Sequence, residues 1–287
     1  MGGHDNKYIM KIIIWLYLLM SLITASLWCA VTAPLITEMA PVPDELFAPL
    51  RGDPRELHFA LRYIFLHSDI TAAEVAIGHY YGIYRWALPN KMGAVQLDIG
   101  GGIFPHFNFS KNKDLQVIDF YANVPLDIRM NKWSGRLMLF HVSSHLGDDY
   151  IRTSGQIADS NSWNSIKTLL SYDVNQAMRL YSGYIYHLQA HPPEQKLRAY
   201  QSGFEINFNI FGSNQAKAYW ANDLQWWERT DFKPQINSQF GIKRSKTSKQ
   251  MRAIYYFLEY SSGPEYFGQF YNRLESRMTI GINFDIN

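Results

Sequence analysis

Residues 136–150 hold the side chains whose types and spacing are best suited to chemistry. They read Arg-Leu-Met-Leu-Phe-His-Val-Ser-Ser-His-Leu-Gly-Asp-Asp-Tyr. The first part is strand-like, and His141, Ser143 and His145 then share one face because side chains alternate along a strand. A serine beside an imidazole suits ester hydrolysis, in which the histidine removes the hydroxyl proton and a third group orients the ring. We therefore treat His141 and Ser143 as a candidate catalytic pair.

Two other interpretations fit the same segment. His141 and His145 lie about 13 Å apart on an extended strand, so a metal ion would instead bind His145 with Asp148 or Asp149 across a turn. Calcium would prefer the aspartates alone. In the structural interpretation, which we prefer, Ser144, His145, Asp148 and Asp149 form a polar cluster at a rim and bond to the following loop. We expect no bound metal and no cofactor.

Residues 1–33 have the layout of a secretory signal peptide. Lys7 and Lys11 precede an apolar run over residues 12–27, and small residues follow it. The run is about long enough to span a membrane as an uncleaved anchor, but no stop-transfer charges follow it, so cleavage is favoured. Cys29, the only cysteine, would leave with the signal. We expect an exported mature chain that has no disulfide.

Composition excludes one class of partner and favours one class of fold. The net charge is only +2 and the charges are scattered, which gives no case for nucleic-acid binding. Aromatic residues make up 15% of the chain beside 47% apolar residues, and no later segment is a long uncharged apolar run. The chain has an export signal and many aromatic residues, and it lacks a second apolar run that could span a membrane. This combination indicates a β-barrel of the outer-membrane type.

Alternation of apolar and polar residues supports a barrel. Near the end of the chain, Ile280, Ile282, Phe284 and Ile286 fall on one parity and are predicted to face lipid. The predicted strands run for about ten residues, which a tilted membrane strand requires, whereas strands of five or six residues are usual in soluble sandwiches, the less favoured alternative. We predict a closed antiparallel transmembrane barrel of 10–12 strands, with 12 preferred because even counts are the rule. The strands are predicted over 57–66, 75–86, 94–109, 115–129, 134–145, 177–189, 197–211, 216–228, 235–243, 250–261 and 274–286, with a short one near 266–272.

The remaining segments are assigned around this barrel. Residues 34–56 are predicted to be a periplasmic lead, and residues 57–287 the barrel domain. The connection over 146–176 is predicted to be one long external loop that contains a short helix, capped by Ser160 or Asn161.

The same alternation predicts which side chains point towards lipid and which point into the lumen. Met138, Phe140 and Val142 make the better lipid face of their strand, which turns His141 and Ser143 inward. The charged residues on the polar parity carry both signs, and we expect them to pair within the lumen and to disfavour a strongly ion-selective pore. They are Asp119, Arg129, Arg179, Glu205 and Arg277.

Five stretches of the sequence resemble a bacterial family known as domain of unknown function 1207. They are 46–55, 115–121, 135–137, 140–149 and 179–183, and the Ser-Ser-His-Leu-Gly-Asp block in 140–149 is the most specific. The sequence departs from the family pattern at Asp149, where glutamate is expected, and at Gly52, where alanine is commoner. The resemblance covers nearly all of the mature chain. It implies a place in the outer membrane of the Gram-negative envelope and no defined activity.

The candidate catalytic pair, His141 and Ser143, resembles a motif of outer-membrane enzymes that cleave lipids. Outer-membrane phospholipases and lipid A deacylases carry a His-x-Ser pair on one strand, and His141-Val-Ser143 is similar, although Ser144 stands where asparagine usually follows. Two functions are therefore considered. A structural or narrow-pore barrel is favoured by the inward facing predicted for the pair, and a lipid ester hydrolase is the alternative. Outer-membrane lipids, and the barrel-assembly machinery during biogenesis, are the expected partners.

Overall fold

Twelve of thirteen antiparallel strands form a closed barrel, and one lies outside it. The structure is a computed structural model that describes residues 37–66, 70–109, 113–157, 161–193, 198–210, 216–245 and 253–285. The predicted signal peptide, Ser160 and Ile286 lie outside these residues. The strands are β1 Thr37–Val42, β2 Phe59–Phe65, β3 Thr71–Ala87, β4 Ala94–Asn108, β5 Leu115–Met130, β6 Trp133–Leu146, β7 Asn161–Asp173, β8 Met178–His191, β9 Arg198–Asn209, β10 Ala216–Trp227, β11 Pro234–Ser245, β12 Ala253–Pro264 and β13 Leu274–Asp285. Helix α1 is Asp148–Ser154, and single 3-10 turns occupy Pro89–Lys91 and Glu228–Thr230.

Closure comes from pairing between the last strand and the first strand of the barrel. β13 pairs with β2 from Phe284 opposite Phe59 to Met278 opposite Phe65, and every other barrel strand pairs with its neighbours in the sequence. Ile280 and Phe284 lie exposed on the outer surface, where apolar side chains suit lipid. The predicted closed barrel of twelve strands is confirmed. No helix within the described residues is long and apolar enough to cross a membrane.

The long connection after β6 differs from the prediction. Residues 161–173, predicted as part of a loop with a helix, form strand β7. The helix is α1, which ends at Ser154 and is followed by Gly155 in the left-handed region at φ 69°. Ile166, Leu169 and Leu170 have the spacing of a helix face, which explains the error. The inward side of β7 also mixes Trp163 with Lys167, so the strand lacks a clean alternation.

The segment predicted to be a periplasmic lead lies largely inside the barrel. β1 pairs with the part of β3 that extends beyond β2, and residues 43–58 then run through the lumen before β2 begins. Phe47 and Leu50 are fully buried and pack against Leu169 and Tyr181. Residues 43–56, predicted as part of a periplasmic lead, therefore have the packing partners of their apolar side chains on the inner wall of the barrel.

A second segment closes the lumen from the opposite end. Residues 265–273 connect β12 to β13, and Tyr266, Phe267 and Phe270 are buried beside Val117. This segment forms turns where a short strand was predicted near 266–272. It meets the N-terminal segment inside the barrel, since the guanidinium carbon of Arg55 lies 4.2 Å from the ring centroid of Tyr266 and 4.1 Å from that of Phe267. Aromatic and guanidinium groups thus fill the axis of the barrel.

The connections distinguish the two ends. The chain enters β2 and leaves β13 at one end, where β5 and β6 are joined by only two residues, Asn131 and Lys132. The connection over 147–160 and the 265–273 segment lie at the other end. Membrane barrels place short turns on the periplasmic side and long loops outside, so the end with the longer connections corresponds to the external end of such barrels and the other to their periplasmic end.

Candidate functional site

Strand β6 presents its chemically active side chains on the outer surface of the barrel. Met138, Phe140 and Val142 are buried within the lumen, whereas His141 and His145 are exposed on the opposite face together with the partly exposed Ser143. The prediction that His141 and Ser143 point inward was therefore wrong. The inward side chains belong to one apolar cluster with Leu57 and Tyr80, among others. A lumen filled by the N-terminal segment accepts apolar residues, so apolarity alone does not identify the lipid face.

Two hydrogen-bonded pairs lie side by side on this outer face. Ser143 Oγ is 2.7 Å from His145 Nε2, and His141 Nδ1 is 2.8 Å from Asn164 Oδ1. Asn164 lies directly opposite His141 on β7, and its Nδ2 donates to Gln189 Oε1 at 3.2 Å. With its amide nitrogen donating to Gln189, Asn164 offers its oxygen as the acceptor for His141 Nδ1–H. Nε2 of neutral His141 is then unprotonated and able to accept a proton.

The polar group is surrounded by apolar side chains of the outer surface. Phe120 and Ala122 of β5 lie opposite Ser143 and His141, and the exposed Leu139 precedes them on β6. The group lies on the external half of β6, near the end that leads into α1. The hydroxyl and the two imidazoles thus form a polar group among apolar side chains on the outer surface of the barrel.

The remaining residues of the predicted rim cluster do not join this face. Ser144 is buried on the lumen side, where its hydroxyl donates to Asp119 and its backbone oxygen accepts from Gln269. Asp148 and Asp149 lie in the first turn of α1, and Asp149 pairs with Arg152. Within the described ranges, no three histidine, cysteine or acidic residues come together as a metal site.

Four of the predicted lumen charges lie inside the barrel and pair there. Arg179 Nη1 is 3.5 Å from Glu205, and Arg277 Nη1 is 3.1 Å from Glu265 in the closing segment. Asp119 is fully buried. Arg129 lies half-exposed at the periplasmic end of β5 and pairs with Asp173.

Sequence reasoning missed the polar core that holds the N-terminal segment. Asp53 Oδ2 accepts hydrogen bonds from Lys167 Nζ at 3.0 Å and Gln201 Nε2 at 2.9 Å. Burial by itself would raise the pKa of Asp53, but the charge of Lys167 and the hydrogen bonds outweigh it and lower that pKa. The Arg-Gly-Asp-Pro-Arg stretch at 51–55 was a usable signal, since two arginines and an aspartate flank a turn in an otherwise apolar lead.

Comparison with known proteins identifies the family. The model of the family described as "Protein of unknown function (DUF1207)" matches residues 21–286. The chain belongs to the DUF1207 family. No curated protein matches this DUF1207 sequence.

Solved structures resemble this DUF1207 barrel at low sequence identity. Outer membrane phospholipase A from Escherichia coli has a TM-score of 0.52 and 12% identity, covering 79% of this chain and 92% of that chain. Its Salmonella typhi counterpart, solved as a dimer with bound calcium, has a TM-score of 0.51 and 13% identity, covering 81% and 93%. The KdgM porin has a TM-score of 0.45 and 9% identity, covering 80% and 99%. The two phospholipase likenesses show that the chain has the fold of an outer-membrane barrel protein.

Proposed function

We propose that this DUF1207 barrel resides in the outer membrane and hydrolyses lipid esters with Ser143 as its nucleophile. The observation that carries this proposal is the outward placement of the Ser143–His145 pair, 2.7 Å apart, beside His141 held by Asn164. Serine-based acyl transfer requires a nucleophile with a base within hydrogen-bond reach, which Ser143 and His145 supply, and a third group that orients the base. Asn164 plays the orienting part for the neighbouring His141.

The proposed reaction proceeds in two steps. Ser143 Oγ attacks the ester carbonyl while His145 Nε2 takes its proton, and the ester bond to the alcohol breaks as that proton passes to the leaving oxygen. Water then attacks the acyl-serine and gives up a proton to the same histidine. The bond from the acyl carbon to Ser143 Oγ breaks as that proton returns to the serine, which releases the fatty acid. His141 offers its unprotonated Nε2 on the same face of the strand, two residues before Ser143, so it is the second candidate for the base.

The filled lumen argues against the narrow-pore function. Residues 43–58 and 265–273 meet on the barrel axis, and Arg55 is packed between aromatic rings of the closing segment. A structural barrel without activity is the competing function, and the placement of Ser143 distinguishes the two. A purely structural role gives no reason for a hydrogen-bonded serine, two histidines and an asparagine among lipid-facing residues.

The test is lipid hydrolysis by the purified protein in detergent or vesicles, followed as fatty-acid release. We expect turnover that Ser143→Ala abolishes while the barrel stays folded. Asn164→Ala is expected to lower kcat by roughly 10²–10⁴, the usual contribution of general acid–base catalysis, if His141 is the base. His145→Ala is expected to cause that loss if His145 is the base.

Matched controls separate catalysis from stability. Ser182→Ala removes another outward hydroxyl, on β8, and is expected to leave turnover unchanged. Ser144→Ala removes the neighbouring hydroxyl that points into the lumen and is expected to change stability rather than turnover. Fatty-acid release no greater than that of a heat-denatured sample, or equal release by Ser143→Ala and wild type, rules out the proposed activity.

A further inference from the structure

We propose that the lumen contains a binding site for a small oxyanion, such as phosphate, between Arg55 and Arg229. The two guanidinium groups line a cavity of about 60 Å³ that also contacts Tyr121, Trp163 and Trp227. This cavity lies inside the barrel, whereas Ser143 lies on its outer surface. The site is therefore independent of the proposed hydrolase.

The cavity is rich in hydrogen-bond donors that have no acceptor. Among the described residues that line it, the buried nitrogens without a partner are Nε and Nη2 of Arg55, Nε and Nη1 of Arg229, and Nε1 of Trp163. The one buried oxygen without a partner on the same walls is Oδ1 of Asn123. Buried donors that stay unpaired cost roughly 1–3 kcal/mol each. The imbalance favours a ligand that offers acceptors only.

Arg229 supplies the unbalanced charge. It makes no hydrogen bond or ion pair with any described residue, and its guanidinium carbon lies 5.1, 4.5 and 4.9 Å from the ring centroids of Trp163, Trp227 and Tyr271. These rings pack against the guanidinium, of which Nε and Nη1 are buried. Burial lowers the pKa of Arg229 to about 10, so the group still carries its charge at neutral pH. A bound anion would provide the missing counter-charge.

Arg55 contributes donors rather than net charge. Its side chain is 9% exposed, and it is 3.4 Å from Glu74 and 3.9 Å from Asp119, so its charge is already offset. Asp119 in turn accepts hydrogen bonds from Ser144 and from the backbone of Gly268. Two N–H groups of Arg55 still lack acceptors, and the fork of a guanidinium suits a tetrahedral or planar oxyanion.

The size of the cavity fits such a group. A buried water needs roughly 10–15 Å³ of space for its centre. The cavity offers about 60 Å³ by the same measure and accommodates several waters or one phosphate-sized ion. Waters alone would satisfy the donors but leave the charge of Arg229 unbalanced. A neutral sugar would bring hydroxyl donors into a cavity with few free acceptors. An oxyanion meets both requirements.

The test is a titration of the full-length protein with inorganic phosphate at constant ionic strength, using chloride as the reference ion. We expect saturable quenching or enhancement of tryptophan fluorescence, because Trp163 and Trp227 form the walls, and a rise in unfolding midpoint that follows the occupancy. Arg229→Gln is expected to weaken binding by about tenfold or more, since it removes a charge-assisted bond. Trp163→Phe, which keeps a ring but removes a donor, is expected to weaken it less.

Two comparisons make the result decisive. Arg244→Gln makes the same charge change at an exposed position on β11 and is expected to bind phosphate as wild type does, as is Ser143→Ala. Glycerol 3-phosphate that binds more tightly than phosphate would identify a larger phosphate ester as the ligand, and equal binding would identify the free ion; both support the site. No saturable effect, or equal losses in Arg229→Gln and Arg244→Gln, overturns it.

Discussion

The pairing of Asp53 with Lys167 is expected to hold the N-terminal segment inside the barrel. The side chains are 3% and 10% exposed and their charged atoms are 3.0 Å apart. Asp53→Asn keeps the shape but removes the carboxylate charge that the buried Lys167 ammonium contacts, and breaking a buried pair in this way costs about 3–5 kcal/mol. We therefore expect the free energy of unfolding to fall by about 3 kcal/mol.

A double-mutant cycle separates the pair from its surroundings. Lys167→Met removes the ammonium, but Asp53 keeps hydrogen bonds from Arg55 N at 2.9 Å and Gln201 at 2.9 Å, so a smaller loss of about 1–3 kcal/mol is expected. The double variant is expected to lose less than the sum of the single losses, by about 2 kcal/mol.

These changes are measured by equilibrium unfolding in urea of the protein in lipid vesicles, with tryptophan fluorescence as the signal. The dependence of the free energy of unfolding on urea concentration should be the same in all variants. The control is Arg152→Gln, which breaks the exposed Arg152–Asp149 pair, with side chains 72% and 51% exposed, and which we expect to have no measurable effect. Wild-type stability of Asp53→Asn, or strictly additive losses in the cycle, would refute the reasoning that this pair docks the segment.

Three further predictions concern the same interior. Phe47→Ala, at a fully buried side chain beneath two guanidiniums, should cost about 3–5 kcal/mol of unfolding free energy, whereas Phe284→Ala on the outer surface should cost much less. Ser144→Ala removes the donor to Oδ1 of buried Asp119, whose Oδ2 keeps the bond from Gly268, and should cost about 1–3 kcal/mol, as urea unfolding will show. Burial, and to a smaller extent the nearby charge of Arg62, holds the pKa of His58 well below its usual value. The pKa of Asp53 is also below its usual value. The stabilising contribution of these two groups is therefore complete above about pH 6.5 and should fall as pH drops, first through His58 and then below about pH 4 through Asp53. Unfolding free energies that change equally from about pH 7 to 3 in wild type and in Asp53→Asn would contradict the contribution of Asp53.

The sequence was most informative where one face of a strand met lipid throughout. β13 alternates Ile280 and Phe284 with polar residues, and such strands were located within a few residues. β7 was missed because its inner wall contacts two kinds of partner, with Leu169 packing on the apolar part of the N-terminal segment and Lys167 binding its aspartate. That mixture depends on which segment fills the lumen, and local periodicity carries no such information.

The sequence analysis placed the candidate residues of β6 on one face of the strand but assigned that face to the wrong side of the barrel. His141, Ser143 and His145 do share one face of β6. Their direction could not be read from β6 alone, because both parities contain large apolar residues such as Leu139 and Phe140. Asn164 and Gln189 come from strands whose register with β6 is set by the whole barrel, so their approach to His141 could not be deduced from spacing.

Covalent labelling of Ser143 tests the central claim most directly. A fluorophosphonate probe reacts with serines that an adjacent base activates, and mass spectrometry of the digested protein locates the adduct. We predict an adduct on Ser143 in the folded protein and in Ser144→Ala, and none in Ser143→Ala or after denaturation. A folded barrel whose Ser143 stays unlabelled, or labelling that is equally strong on the outward Ser182, would contradict the assignment of this outer face as a catalytic site.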